Sequence, residues 1–109
     1  MIRTAVAALA TVFAAAGPAL AQVDDASAQA LLKKSDCGKC HAADKKKDGP
    51  SYKETAAKYK GKATAEADIV KHISTATKVK VDGKEEEHKP VKSTNEAEIK
   101  NLARWILSR

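Results

Sequence analysis

The residues richest in chemistry in this 109-residue chain stand together as Cys37-Gly38-Lys39-Cys40-His41. A C-x-x-C-H run is the attachment motif of a c-type haem, and its spacing has a chemical reason. Two thiols three positions apart lie on one side of a helical turn, from which each can add to a vinyl group on one porphyrin edge. His41, directly after the second thiol, stands next to the ring and can give an imidazole nitrogen to the iron as the proximal ligand. Three other chemistries use parts of the pattern. A thioredoxin-type redox pair sits near a βαβ pattern, and no hydrophobic strand precedes Cys37. A structural zinc site needs two further ligands at metal spacing, and the chain has no other cysteine. A plain disulfide leaves His41 without a role. The haem reading uses all three side chains.

The elements that must position this motif begin after a segment with a different purpose. Met1-Ile2-Arg3 carries one positive charge, an apolar stretch runs from Ala5 to Ala16, Gly17-Pro18 breaks it, and Ala19-Leu20-Ala21 offers a small-x-small cleavage site. That order predicts a secretory signal peptide over residues 1–21 and a single domain over 22–109, exported to the periplasm or its equivalent. An uncleaved N-terminal anchor is the alternative. The apolar run is short for a bilayer and no second one follows, so no membrane span is expected in the mature chain. Cleavage takes the formal charge from +6 to +5 and removes the only methionine, Met1. The aromatics left are Tyr52, Tyr59 and Trp105. So small a domain buries little apolar surface; a covalent porphyrin would supply the missing centre, and folding is expected to require it.

Helical composition runs from Asp24 to Ser35, with Ala28, Leu31 and Leu32 as an apolar stripe leading into the motif. Lys33, Lys34, Lys39 and Lys45-Lys46-Lys47 surround the motif with positive charge. They suit either a solvated surface or a docking face for acidic redox partners. The chain turns at Asp48-Gly49-Pro50-Ser51. A helix from Ser51 to Lys60 follows, closed by Gly61. Another runs from Thr64 or Ala65 to Thr75, with Ile69, Val70 and Ile73 as its apolar side and His72 along it. Val79-Lys80-Val81-Asp82-Gly83 reads as extended chain or a tight turn. The exposed acidic run Glu85-Glu86-Glu87 and an irregular segment through His88-Lys89-Pro90 come next. A last helix starts near Thr94, with Ser93-x-x-Glu96 fitting a capping box and Ile99, Leu102 and Ile106 on one face, widened by Ala103, Trp105 and Leu107. There is no internal repeat and no nucleic-acid motif, and basic charge alone is weak support for binding DNA or RNA.

From Ala26 to Arg109 the chain resembles the small bacterial class I cytochromes c. The resemblance rests on C-G-K-C-H at Cys37–His41, G-P-S-Y at Gly49–Tyr52, A-A-K-Y-K-G at Ala56–Gly61 and L-A-R-W-I-L at Leu102–Leu107. It implies an all-α cytochrome c fold, three to four short helices around one haem c bound covalently through Cys37 and Cys40. It also implies crossed terminal helices, with Leu32 and Trp105 packed at the crossing, and a Pro50 carbonyl that accepts from His41 and fixes its ring. The chain departs from the family in the distal loop. The family usually places a methionine before proline there as the second axial ligand, and here His88-Lys89-Pro90 stands at the matching place. His88, His72 and a deprotonated lysine are the strong-field candidates. His88 is preferred for its position, since His72 lies on an apolar helix side and lysine would first have to lose its proton.

The expected function is an exported monohaem electron carrier, not an enzyme. Bis-histidine ligation would give it a low potential, because two imidazoles favour ferric iron more than an imidazole and a thioether do. Its partners would be redox proteins with acidic docking surfaces. A haem subunit of a larger periplasmic oxidoreductase and a gas-binding or sensing haem protein are the alternatives.

Overall fold

A computed structural model describes residues 22–109, so the signal peptide expected over residues 1–21 lies outside the described residues. Helix α1 spans Asp25–Lys34. It starts where the Asp24 carboxylate accepts the Ser27 N–H at 3.0 Å, the bond by which an N-cap satisfies an otherwise unpaired helix donor. Hydrogen bonds from Ser27 hold this carboxyl below the usual carboxylate range. Ala28, Leu31 and Leu32 are buried on one side. The helix stops because Asp36 turns into the left-handed region at φ 56, and a single 3-10 turn over Cys37–Lys39 follows at once.

Helix α2, Tyr52–Tyr59, opens on a reciprocal capping box. The Ser51 hydroxyl accepts from Glu54 N–H at 3.0 Å, and the Glu54 carboxylate accepts from Ser51 N–H at 3.3 Å. Ser51 is 0 % exposed, so these bonds satisfy polar groups that water cannot reach. Gly61, at φ 78, closes the segment. Helix α3, Ala65–Ser74, buries Ile69 and Ile73.

The next stretch is extended and then turns at Asp82-Gly83, as expected, but it departs from expectation beyond the turn. Thr77–Val81 forms strand β1 and Lys84–His88 forms strand β2, paired antiparallel. Asp82 and Gly83 join them with φ 51 and 76, the two positive values a tight two-residue hairpin turn requires. The acidic run is therefore a strand, and His88 ends that strand instead of lying in irregular chain. Pairing sets Glu87 opposite Lys78 and Glu85 opposite Lys80. These opposite charges support a strand whose own composition favours none.

Helix α4, Glu96–Leu107, begins two residues later than the Ser93 capping box predicts. Asn95 is the N-cap, its side-chain oxygen accepting from Glu98 N–H at 3.2 Å. Ser93 has a supporting role: its hydroxyl accepts from Asn95 N–H at 3.1 Å and donates to the Glu98 carboxylate at 2.6 Å. Asn95 and Ser93 each stand three residues before a glutamate; the later start sets both Glu96 and Glu98 in the first turn, beside the positive end of the helix dipole.

The core joins Leu32 of α1, Tyr52 of α2, Ile69 and Ile73 of α3 and the Ile99–Ile106 face of α4. Leu32 and Trp105 share this cluster, as the family resemblance implies. The α1–α4 crossing is tied by polar bonds. Asn101 accepts from Asp24 N–H at 2.8 Å and donates to Asp24 O at 2.9 Å, and the Trp105 indole N–H donates to the Asp25 carboxylate at 2.6 Å. Among the described residues four α-helices give a mainly helical fold, with the hairpin added between α3 and α4. Among the described residues no helix is long and apolar enough to cross a membrane.

Candidate functional site

The C-x-x-C-H motif is folded on itself by its own backbone. Cys37 O accepts from both Cys40 N–H at 3.2 Å and His41 N–H at 3.0 Å, which sets the two thiols and the imidazole on successive parts of one turn. The loop after it is held beneath: Gly49 N–H donates to Cys40 O at 2.8 Å, and Tyr52 N–H donates to Ala42 O at 3.0 Å. Lys47 reaches back so that its ammonium donates to Gly38 O at 2.6 Å. Of the three consecutive lysines, this one is thereby committed to the motif's own backbone. Cys40 is exposed and Cys37 half-buried, and burial pushes the Cys37 thiol up from its ordinary value.

His41 is fixed on one side by Pro50, whose carbonyl oxygen lies 2.7 Å from Nδ1. A proline carbonyl only accepts, so Nδ1 carries the proton and Nε2 keeps its lone pair free for a metal. The ring also stacks on Tyr52, centroids 5.7 Å apart. Tyr52 in turn meets Trp105 edge-on at 5.3 Å, which connects the proximal histidine to the helix crossing. Burial first, and then the neighbouring Cys37, push the Tyr52 hydroxyl up to about 12. Gly49 lies so close to His41 that a Cβ there would come within 2.8 Å of Nδ1 and 3.0 Å of Nε2. Sequence reasoning treats Gly49 only as part of a turn; nothing in the local sequence announces the contact.

The hairpin brings His88 to the other side. Its ring centroid is 6.2 Å from that of His41, with the planes 61° apart. His72 lies on the far side of His88, centroids 4.3 Å apart. Burial first lowers the pKa of both His72 and His88; the charges of His41 and Lys58 add to it at His72, and those of His72 and His41 at His88. Both rings are therefore held neutral more readily than a free histidine, and a neutral imidazole is the ligand form. His88 Nδ1 is buried with no hydrogen-bond partner among the described residues. Thr77, Val79 and Val81 are half-buried along alternate positions of β1, and Thr77 pairs directly with His88. These side chains share the sheet face that carries His88.

A paired-thiol turn with an oriented imidazole, beside packed terminal helices, defines a haem-attachment domain. The cytochrome c family profile matches residues 14–109. Cytochrome c-551 of Pseudomonas aeruginosa is 38% identical over 86 residues, 74% of this chain and 75% of that protein. Among solved structures, the class 1 cytochrome MtoD of Sideroxydans lithotrophicus ES-1 superposes with a TM-score of 0.76 at 49% identity, covering 80% of this chain and 97% of that one. Nitrosomonas europaea cytochrome c552 gives 0.60 at 31% identity, covering 73% and 96%. The chain belongs to the cytochrome c family, as a class I monohaem member similar to c-551 and c552. It is an electron carrier and not an enzyme, with one haem c attached covalently through Cys37 and Cys40.

Proposed function

We propose that this carrier is an exported cytochrome of low potential, with His41 and His88 as the two axial ligands of its iron. The observation that carries the reading is the 6.2 Å between the two ring centroids. Two imidazoles facing each other across one metal, each with a metal–nitrogen bond of about 2 Å, need a centroid spacing of roughly 6 Å. The buried His88 Nδ1 without a partner supports it, because a buried polar atom is costly to leave unused. The haem, when bound, supplies one-electron chemistry between ferric and ferrous iron.

The chain's own residues then hold and tune it. Cys37 and Cys40 would hold the haem covalently, and Pro50 fixes the His41 tautomer. Val79 and Val81 present an apolar face on the His88 side of the hairpin. Imidazole in place of thioether favours the ferric state, so the potential lies below that of a His/Met relative. The exposed Lys39, Lys45 and Lys46 beside the motif fit a partner with an acidic surface. Export with removal of residues 1–21 would put this exchange in the periplasm. A vacant sixth position for gas binding is disfavoured by the half-buried His88 facing His41.

Redox titration of haem-matured wild type beside His88→Met tests the reading. The methionine variant is expected to have the higher potential while keeping a low-spin spectrum. Equal potentials would overturn it.

A further inference from the structure

His72 has no part in that ligand set, yet its ring lies against the ring of His88, centroids 4.3 Å apart and planes 37° apart. The surrounding backbone makes the contact hard to avoid. Thr77 Oγ1 stands 3.4 Å from His72 Nδ1, and Thr77 is the residue paired with His88 across the hairpin. On the other side of His88, Val91 N–H donates to Ile73 O at 2.8 Å. The chain before and after His88 is thus attached to the last turn of α3, the turn that carries His72. A rotation of the His88 ring about its Cβ–Cγ bond therefore drives it into the His72 ring. In this arrangement the His88 plane makes an angle of 61° with that of His41.

We propose that His72 is a positioning residue, whose ring packs on His88 and holds the distal imidazole at a large angle to the proximal one. The proposal rests on His88 being the sixth ligand. The angle has an electronic consequence separate from stability. In ferric haem, crossed imidazole planes leave the two iron dπ orbitals that they address nearly equal in energy. The low-spin electron paramagnetic resonance signal is then strongly anisotropic, with one large g value. Parallel planes split those orbitals and give a rhombic signal with three resolved g values.

The test is the frozen-solution resonance spectrum of haem-matured wild type, His72→Ala, His72→Leu and His72→Phe. Wild type is expected to give the single large-g signal. His72→Ala and His72→Leu, which lack a planar ring, shift intensity to a rhombic signal, and His72→Phe retains the wild-type one. Leucine fills the volume, so the comparison stands if the alanine variant fails to fold. Added imidazole should displace His88 in the alanine variant at roughly three- to tenfold lower concentration, the range that loss of one aromatic contact gives. A spectrum and an imidazole affinity unchanged in both the alanine and leucine variants would overturn the positioning role while leaving His88 as ligand. Loss of the low-spin signal in all three His72 variants, with its retention in His88→Ala, would remove the ligand assignment itself and the proposal with it.

Discussion

Gly49→Ala tests the packing that fixes the proximal histidine. Among the described residues the positive-φ glycines are Gly61 and Gly83, so Gly49 is not required for its backbone angles. It is required for space: a Cβ at this position would stand 2.8 Å from His41 Nδ1 and 3.0 Å from Nε2. The ring cannot withdraw without lengthening its 2.7 Å bond to Pro50 O, and Tyr52 stacks on it. Forcing a methyl group into such a contact costs about 1–3 kcal/mol. For a domain of this size each kcal/mol moves Tm by about 4–8 °C, so Tm should fall by roughly 5–20 °C. The assay is thermal unfolding of haem-matured protein followed by circular dichroism, with the ferric absorption spectrum recorded on the same samples. Gly38→Ala is the control, because a Cβ there meets nothing within 4 Å although the residue lies inside the motif. Surface changes of that kind stay within about 0.5 kcal/mol. A Gly49→Ala protein whose Tm lies within about 2 °C of the Gly38→Ala control would refute the steric reasoning.

Ser51→Ala removes a fully buried cap and should cost about 1–2 kcal/mol, seen as a lower urea midpoint at unchanged slope; an unchanged midpoint would contradict the capping box as a stabilising element. Trp105→Phe keeps the edge contact with Tyr52 but removes the 2.6 Å bond to the Asp25 carboxylate. A loss of about 1–2 kcal/mol is expected, below the upper end for charged acceptors because the pair is partly solvated. In an Asp25→Ala background that loss should shrink, and a loss of the same size there would show that the bond contributes nothing. Asp24 has a folded-state pKa held below its ordinary 3.8 by Ser27. Its stabilisation is therefore present above that ordinary value and fades as pH falls through the lower, folded value. The Tm gap between wild type and Asp24→Ala at pH 7 should accordingly narrow as pH falls below the ordinary value of 3.8; a gap that stays constant through acid titration would contradict the capping role.

What the sequence discloses here depends on whether the deciding contacts are local. Cys37, Cys40 and His41 carry their chemistry in five consecutive residues, and the four helices follow from apolar spacing, caps and the glycine and proline stops. The second strand was not legible, because Lys84-Glu85-Glu86-Glu87-His88 has no apolar alternation and pairs through Lys78 and Lys80 across the turn. The start of α4 is ambiguous in the sequence because Ser93 and Asn95 each stand three residues before a glutamate, and tertiary context selects the second. The crowding of His41 by Gly49 and the stacking of His72 on His88 join residues that only the folded chain brings together. For the second pair, the hairpin does so: it returns the chain to the turn of α3 it has just left.

The most direct test of the whole account is the ferric absorption spectrum and reduction potential of haem-matured His88→Ala beside His72→Ala. His88→Ala is expected to lose the low-spin spectrum while His72→Ala keeps it. A His88→Ala protein that stays low-spin at an unchanged potential, with His72→Ala turning high-spin, would contradict it and make His72 the ligand.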